Sequence, residues 1–183
     1  MDILAFDLSK ASTGWARWSD DQARPTFGSK CLGSEYTSRG DTYVALHKLI
    51  IEMTLFGTPD HIVVEAPRNP THLPYPTKFL NDRQLIGLAE MAHYFAAMLG
   101  CTVREVETKD WWPHFNRQGF PKRVKGSSSK DYTIARCRQF GFKPKNDDEA
   151  DAIGILSYEM EMRGVLPPWV RNEILVTPLG LIA

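Results

Sequence analysis

The sequence has few cysteines, and their arrangement excludes two classes of protein. The 183 residues include only Cys31, Cys101 and Cys137, which are far apart and show no CxxC spacing. An odd number of widely spaced cysteines argues against a disulfide framework and against a zinc module. The pattern suits a reducing compartment, and we expect a cytoplasmic location.

Long apolar runs and nucleophilic motifs are also absent. No stretch approaches the roughly 18 apolar residues of a membrane span, and the acidic, non-basic start makes a signal peptide unexpected. No Ser-His-Asp or Cys-His arrangement is evident, and the five histidines show no metal-ligand spacing. What remains is an ordinary globular composition, with 43% apolar and 24% charged residues and room for one domain with a core.

The net charge of zero conceals two segments of opposite sign. Residues 114–145 hold nine Lys or Arg residues and one acid, which makes this segment +8 and the rest of the chain −8. A solvated helix face would explain the asymmetry without any function. We favour a surface that neutralises phosphates beside a site that holds cations, and Lys122, Arg123 and Lys125 are then the candidate contacts.

The hydrophobic pattern predicts an α/β fold. Apolar or alternating runs predict strands at 2–8, 13–18, 27–33, 61–66 and 101–107, and three- and four-residue spacing predicts helices at 42–56, 82–99, 130–140 and 147–163. Residues 67–78 are predicted to be a loop, and residues 108–129 show no clear periodicity. The order βββ-α-β-α-β-α-α predicts a mixed sheet flanked by helices, with the first strand central and the strand 61–66 beside it.

The segment NDDEADA at 146–152 brings several carboxylates to the start of the last predicted helix. With Asn146 as N-cap and Glu149 three residues later, it resembles a capping box, and acids in the first turn suit the helix dipole. Capping explains Asp147 and Asp148 but not Asp151. Asp148 and Asp151 share one face of the helix with Ile155, Tyr158 and Met162, a stripe that we expect to face the sheet.

Two more carboxylates interrupt predicted buried strands. Asp7 lies within the apolar run of the first, and Glu65 ends the run IVVE. Either alone is more often a strand-end acid or the partner of a buried arginine, but these segments contain no matching Lys or Arg. If the strands are adjacent and the last helix crosses them, Asp7 and Glu65 meet Asp148 and Asp151. Four carboxylates can hold two Mg²⁺ or Mn²⁺ ions about 3.5–4 Å apart, as in phosphodiester hydrolysis.

The chain resembles Holliday-junction resolvases of the RuvC type, within the RNase H-like nuclease superfamily. The stretches that carry the resemblance are ILAFDLSKASTGWA, IVVEAP, GSSSKDYTIARCRQFGF and DDEADAIGIL, in that order. They extend over residues 1–163, which we expect to form one RNase H-like nuclease domain, followed by a C-terminal tail at 164–183. The resemblance implies a mixed five-stranded sheet flanked by helices.

The resemblance also implies an activity, a cofactor and site residues. The activity is the cleavage of four-way DNA junctions in recombination and repair, by hydrolysis with two Mg²⁺ ions that Mn²⁺ can replace. The implied metal ligands are Asp7, Glu65, Asp148 and Asp151, and the basic residue near the scissile phosphate is Lys130. An aromatic residue in the loop after the glutamate engages unstacked bases in that family, and Tyr75 and Phe79 are the candidates here.

The same resemblance implies a homodimer and leaves some features unmatched. Two symmetric cuts need two sites related by a two-fold axis, and Ile86, Met91, Ala97 and Met98 offer a second packing surface on the helix 82–99. The proline-rich loop PRNPTHLPYPTKFLND and the insert DWWPHFNRQGF depart from the family pattern. They indicate a divergent member, of which a phage protein would be one example.

Other functions compete with this interpretation. A nucleotide-binding protein of the actin and sugar-kinase type also ends its first strand in Asp, but it needs two such domains and a Gly-rich adenosine motif. A non-catalytic DNA-binding module of the same fold would lack a complete acidic set. Another RNase H-like nuclease, acting on RNA–DNA hybrids or on other branched DNA, is the nearest alternative.

Overall fold

A computed structural model of the protein describes residues 1–67, 76–117 and 129–170, without the side chains of 76–81. The strands are β1 (Asp2–Asp7), β2 (Thr13–Ser19), β3 (Thr26–Lys30), β4 (His61–Glu65) and β5 (Thr102–Val106). The helices are α1 (Arg39–Thr54), α2 (Pro76–Leu99), α3 (Thr108–Asn116), α4 (Ser129–Gln139) and α5 (Asp147–Met162).

The strands form one mixed sheet in the order β3-β2-β1-β4-β5. The central strand β1 pairs antiparallel with β2, where Asp7 lies opposite Gly14. It pairs parallel with β4, where Phe6 lies opposite Val64. This confirms the predicted mixed five-stranded sheet, its central first strand and the neighbouring position of β4.

Helices cover both faces of the sheet, and the alternation of side chains in β1 decides which residue meets which layer. Leu4 and Phe6 pack with residues of α1 and α2. Ile3 and Ala5 pack with α3, α4 and α5. Asp7 continues the second set, and Glu65 does the same in β4 after Val63. Both carboxylates therefore lie at the carboxyl ends of adjacent parallel strands, on the α5 side.

Helix α5 is buried on almost every side and lies very close to its neighbours. A methyl group at Gly14 would stand 1.9 Å from the carbonyl oxygen of Asp148, and one at Gly154 would stand 2.6 Å from the Trp111 ring. With α5 in its observed position, only glycine fits at residues 14 and 154. The predicted inward stripe is wrong at its last member, because Met162 is 48% exposed.

Two helix starts and one whole helix differ from the prediction. Helix α2 begins at Pro76 rather than near residue 82, because proline is favoured in the first turn. Helix α1 begins at Arg39 because the Ser38 side chain accepts a hydrogen bond from the Asp41 N–H.

Helix α3 lies within the segment in which no periodicity was visible. Its internal Pro113 interrupts the pattern that a helix usually shows. Burial of Trp111, Trp112 and Phe115 against α5 and α4 stabilises it nonetheless.

The packed core continues past residue 163 into the segment that was expected to be a tail. Trp169 and Val170 are buried, and the Trp169 indole donates to the Ser157 hydroxyl over 3.2 Å. The rest of that segment, 171–183, lies outside the described residues. Within the described ranges, no helix combines the length and the apolar character needed to cross a bilayer.

Candidate active site

A cavity of about 380 Å³ lies at the carboxyl ends of β1 and β4, beneath the first turns of α5. Its walls include all five residues predicted to be catalytic, namely Asp7, Glu65, Lys130, Asp148 and Asp151. Asp82 of α2 and Thr108, Trp111 and Trp112 of α3 also line it. The structure thus brings the predicted acids and lysine to one place from four elements, β1, β4, α4 and α5.

The remaining predicted site residues lie outside the described part of the chain. Tyr75, Lys122, Arg123 and Lys125 fall in the ranges 68–75 and 118–128, and Phe79 falls among the residues of α2 whose side chains are not described. Their assignments as DNA contacts stay predictions.

Asp7 carries a strongly perturbed carboxyl group. Burial raises its pKa well above the usual value, and the negative charges of Glu65, Asp151 and Asp148 raise the pKa further, while Lys130 opposes them. Like charges at short range favour the neutral acid unless a cation compensates them. Asp7 therefore lies at the electrostatic centre of the cluster.

The carboxyl group of Asp151 is also buried and has a raised pKa. Burial and the charge of Glu65 raise its pKa to about 7, against a hydrogen bond from Thr133 that lowers it. Its Oδ1 atom is buried and has no hydrogen-bond partner among the described residues. Because the folded protein binds this proton more tightly than the unfolded chain, the metal-free fold loses stability as the pH rises from 3.8 to about 7.

Glu65 is held by two donors from α3. The Thr108 hydroxyl donates to its Oε1 over 2.5 Å, and the Trp111 indole N–H donates to the same oxygen over 3.0 Å. One carboxylate oxygen is therefore fixed by the protein. Thr108 and Trp111 are positioning residues that the sequence offered no means of finding, because α3 itself was not predicted.

Asp148 is positioned by the turn between β1 and β2 and by the start of α5. Burial raises the pKa of Asp148, while the Ser12 hydroxyl donates to its carboxylate and lowers it. Asn146 caps α5 by accepting from the Glu149 N–H over 3.0 Å, and its amide donates to Ser12 over 3.1 Å. The predicted N-cap is confirmed, and it links the helix start to the turn that holds Asp148.

Lys130 lies at the edge of the cavity in an ion pair with Asp147. The hydrogen bond from Lys130 to Asp147 raises the pKa of the lysine, so that its charge is retained. Asp147 itself is not among the residues that line the cavity. It pairs with Lys130 at the cavity edge instead, a contact that the sequence did not reveal.

The donor set at this cavity suits a hard divalent cation. All four acids offer carboxylate oxygens, the ligands that Mg²⁺ and Mn²⁺ prefer, and the buried, unpaired Oδ1 of Asp151 needs a positive partner. Across the described ranges, no three potential ligands are arranged as they stand to hold a metal ion. A cation bound at the cavity would compensate the repulsion among the four carboxylates.

Comparison with known proteins identifies the fold. No family model matches the chain, and no curated protein matches it. Among solved structures, Thermus thermophilus RuvC in complex with a Holliday junction substrate matches with a TM-score of 0.63 and 14% identity, over 91% of this chain and 99% of that chain. The yeast mitochondrial Holliday junction resolvase matches with a TM-score of 0.58 and 12% identity, over 94% of this chain and 83% of that chain. The fowlpox virus Holliday junction resolvase matches with a TM-score of 0.56 and 10% identity, over 89% of this chain and 99% of that chain.

At sequence identities this low, the structural similarity establishes the fold and no finer property. The matches extend over nearly the whole length of bacterial, viral and mitochondrial proteins, and the sheet order and flanking helices agree with the expected architecture. The chain therefore has the fold of RuvC-type resolvases.

Proposed function

We propose that this chain is a DNA endonuclease that cleaves four-way junctions by metal-dependent phosphodiester hydrolysis, in DNA recombination and repair. The observation that carries the proposal is the meeting of four carboxylates at one cavity, one of which, Asp151, has a buried oxygen without a partner. The fold supports junction DNA as the substrate, because one matching protein was solved with a Holliday junction.

Asp7, Glu65, Asp148 and Asp151 would hold two Mg²⁺ ions, which Mn²⁺ can replace. When bound, such ions lower the pKa of a water molecule and stabilise the oxygen that leaves. In the reaction, the water oxygen bonds to phosphorus as the bond to the 3′ oxygen breaks. The products are a 5′ phosphate and a 3′ hydroxyl. The carboxylates orient the ions, and Lys130 compensates charge on the phosphate.

Binding to DNA would depend on the basic segment, although not on all of its members. Arg117 pairs with Glu161, and Arg136 donates to the Phe115 carbonyl and lies over the Phe140 ring. Both serve the fold. Lys143 and Lys145 are exposed beside the start of α5 and are suited to phosphate contacts.

We further propose that two copies act together. Two symmetric cuts in a junction require two sites, and α2 exposes apolar surface away from the cavity. Tyr94 and Met98 on this helix are each 54% exposed.

The first prediction concerns the four acids. Asp7→Asn, Glu65→Gln, Asp148→Asn and Asp151→Asn should each slow Mg²⁺-dependent junction cleavage by about 100-fold or more, because cations supply several kcal/mol to such reactions. Single-turnover cleavage of a labelled four-way junction measures the loss. Junction binding should survive, because neutralising an acid reduces its repulsion of phosphate.

Control variants distinguish a metal site from a purely structural role of the acids. Asp147→Asn should slow junction cleavage much less, since Asp147 does not line the cavity. In metal-free buffer, Asp151→Asn should raise the melting temperature and reduce the fall of the melting temperature between pH 4 and pH 7. A replication fork, linear duplex and RNA–DNA hybrid, compared in the same assay, test substrate choice. Normal cleavage by Asp151→Asn would refute the active-site assignment.

Lys130 is expected to act on the chemical step more than on binding. Lys130→Ala should slow cleavage by about 100-fold, the usual loss for a group that stabilises developing charge, while junction affinity changes little. Lys48→Ala, which removes an exposed lysine outside both the cavity wall and the basic segment 114–145, is the matched control. Equal losses of cleavage and binding in Lys130→Ala would remove its catalytic role.

Lys122, Arg123 and Lys125 are expected to supply much of the affinity. Replacing all three by alanine should weaken binding and flatten the dependence of log K on log salt, by about 0.9 for each phosphate that is no longer neutralised. Fluorescence anisotropy over a salt series measures this slope. A triple variant of the exposed Lys30, Arg39 and Lys48, with the same loss of charge, should leave the slope nearly unchanged. An unaltered slope in the first variant contradicts the assignment.

The proposed dimer has a direct test. Light scattering at micromolar concentration should give twice the chain mass of 20.8 kDa, and Met98→Lys should shift the protein toward monomer because it places a charge in an apolar contact. Met162→Lys is the matched control, since Met162 is similarly exposed but belongs to α5. A wild-type monomer, with and without junction DNA, would exclude the dimer.

A further inference from the structure

A fifth carboxylate faces the same cavity from a different layer of the fold. Asp82 lies in α2 and lines the cavity together with Asp7, Glu65, Asp148 and Asp151. It is only 9% exposed, and its Oδ2 atom is buried without a hydrogen-bond partner in the described part of the chain. Asp82 thus combines burial, an unpaired oxygen and a position on the cavity wall.

No local structural role accounts for Asp82. Helix α2 begins at Pro76, so Asp82 lies too far along the helix to cap its free N–H groups or to interact with its positive end. Aspartate is unfavourable in the interior of a helix, and burial of an unpaired carboxylate adds a further cost. Asp82 therefore occupies a position that neither helix formation nor packing favours.

The surroundings indicate what would compensate this charge. Lys130 lines the same cavity, but its ammonium group forms an ion pair with Asp147. The remaining polar wall is mainly acidic, so a cation is favoured there and an anion would need a bound cation beside it. A carboxylate oxygen beside four other carboxylates is a hard ligand of the kind that divalent cations select.

We propose that Asp82 is a fifth carboxylate of the metal site, which binds a divalent cation from the α2 side, directly or through a coordinated water. This inference depends on the metal-dependent function proposed above. It adds to that function a second layer of the fold, so that the ions would join α2 to the sheet and to α5.

The test measures cation binding by the whole chain without DNA. In Asp82→Asn, the Mn²⁺ concentration for half-maximal binding, followed by electron paramagnetic resonance of free Mn²⁺, should rise about tenfold or more. The metal-free melting temperature should rise because an unpaired buried charge is removed, and the increase in melting temperature on adding Mn²⁺ should shrink. Mg²⁺-dependent junction cleavage should need correspondingly more Mg²⁺.

Two further variants separate the possible failures. Glu90→Gln removes an exposed acid from the same helix and should leave Mn²⁺ affinity unchanged. If Asp151→Asn abolishes Mn²⁺ binding while Asp82→Asn leaves it intact, the role of Asp82 is refuted and the metal site remains. A lower metal-free melting temperature of Asp82→Asn with unchanged Mn²⁺ affinity would likewise assign Asp82 to structure alone. If the wild-type chain binds no Mn²⁺ or Mg²⁺, the proposed function itself fails.

Discussion

The first turn of α5 lies directly on β2, at the residue that pairs with Asp7 across the sheet. Gly14 leaves just enough room there for the Asp148 carbonyl group. A larger residue would lift the helix away from the strands, and Asp148 and Asp151 would then move away from Asp7. Trp111 acts similarly farther along, where its ring meets Gly154. The distance between helix and sheet therefore determines whether the carboxylates meet at all.

The hydrophobic core provides the energy that holds these acids together. Repulsion among the carboxylates and the desolvation of Asp7 and Asp151 oppose folding in the absence of cations. Burial of the apolar residues around α5, at about 25 cal/mol for each Å² of apolar surface, favours it. The destabilising acids therefore depend on a stable apolar frame, with Asp7 and Glu65 at the ends of their strands and Asp148 and Asp151 in the first turns of α5.

The sequence was sufficient to predict the sheet, because central strands with two covered faces contain nearly continuous apolar runs. The sequence also allowed Asp7 and Glu65 to be identified as candidate site residues, because an acid is unusual in such an apolar run. Other features depend on contacts that no local pattern encodes. Helix α3 is stabilised by tertiary packing despite Pro113, and the pair Lys130–Asp147 joins different helices. The position of Asp82 at the cavity depends on where α2 crosses the end of the sheet.

At the contact between Gly14 and α5, all the atoms that the helix contributes are main-chain atoms. The atom that approaches Gly14 is the carbonyl oxygen of Asp148, and the carboxylate of the same residue points to the cavity. Any amino acid at position 148 offers the same carbonyl oxygen. The scaffold and the chemistry of this residue are therefore separable. The acid can change through evolution or design without loss of the close approach, whereas Gly14 has no such freedom.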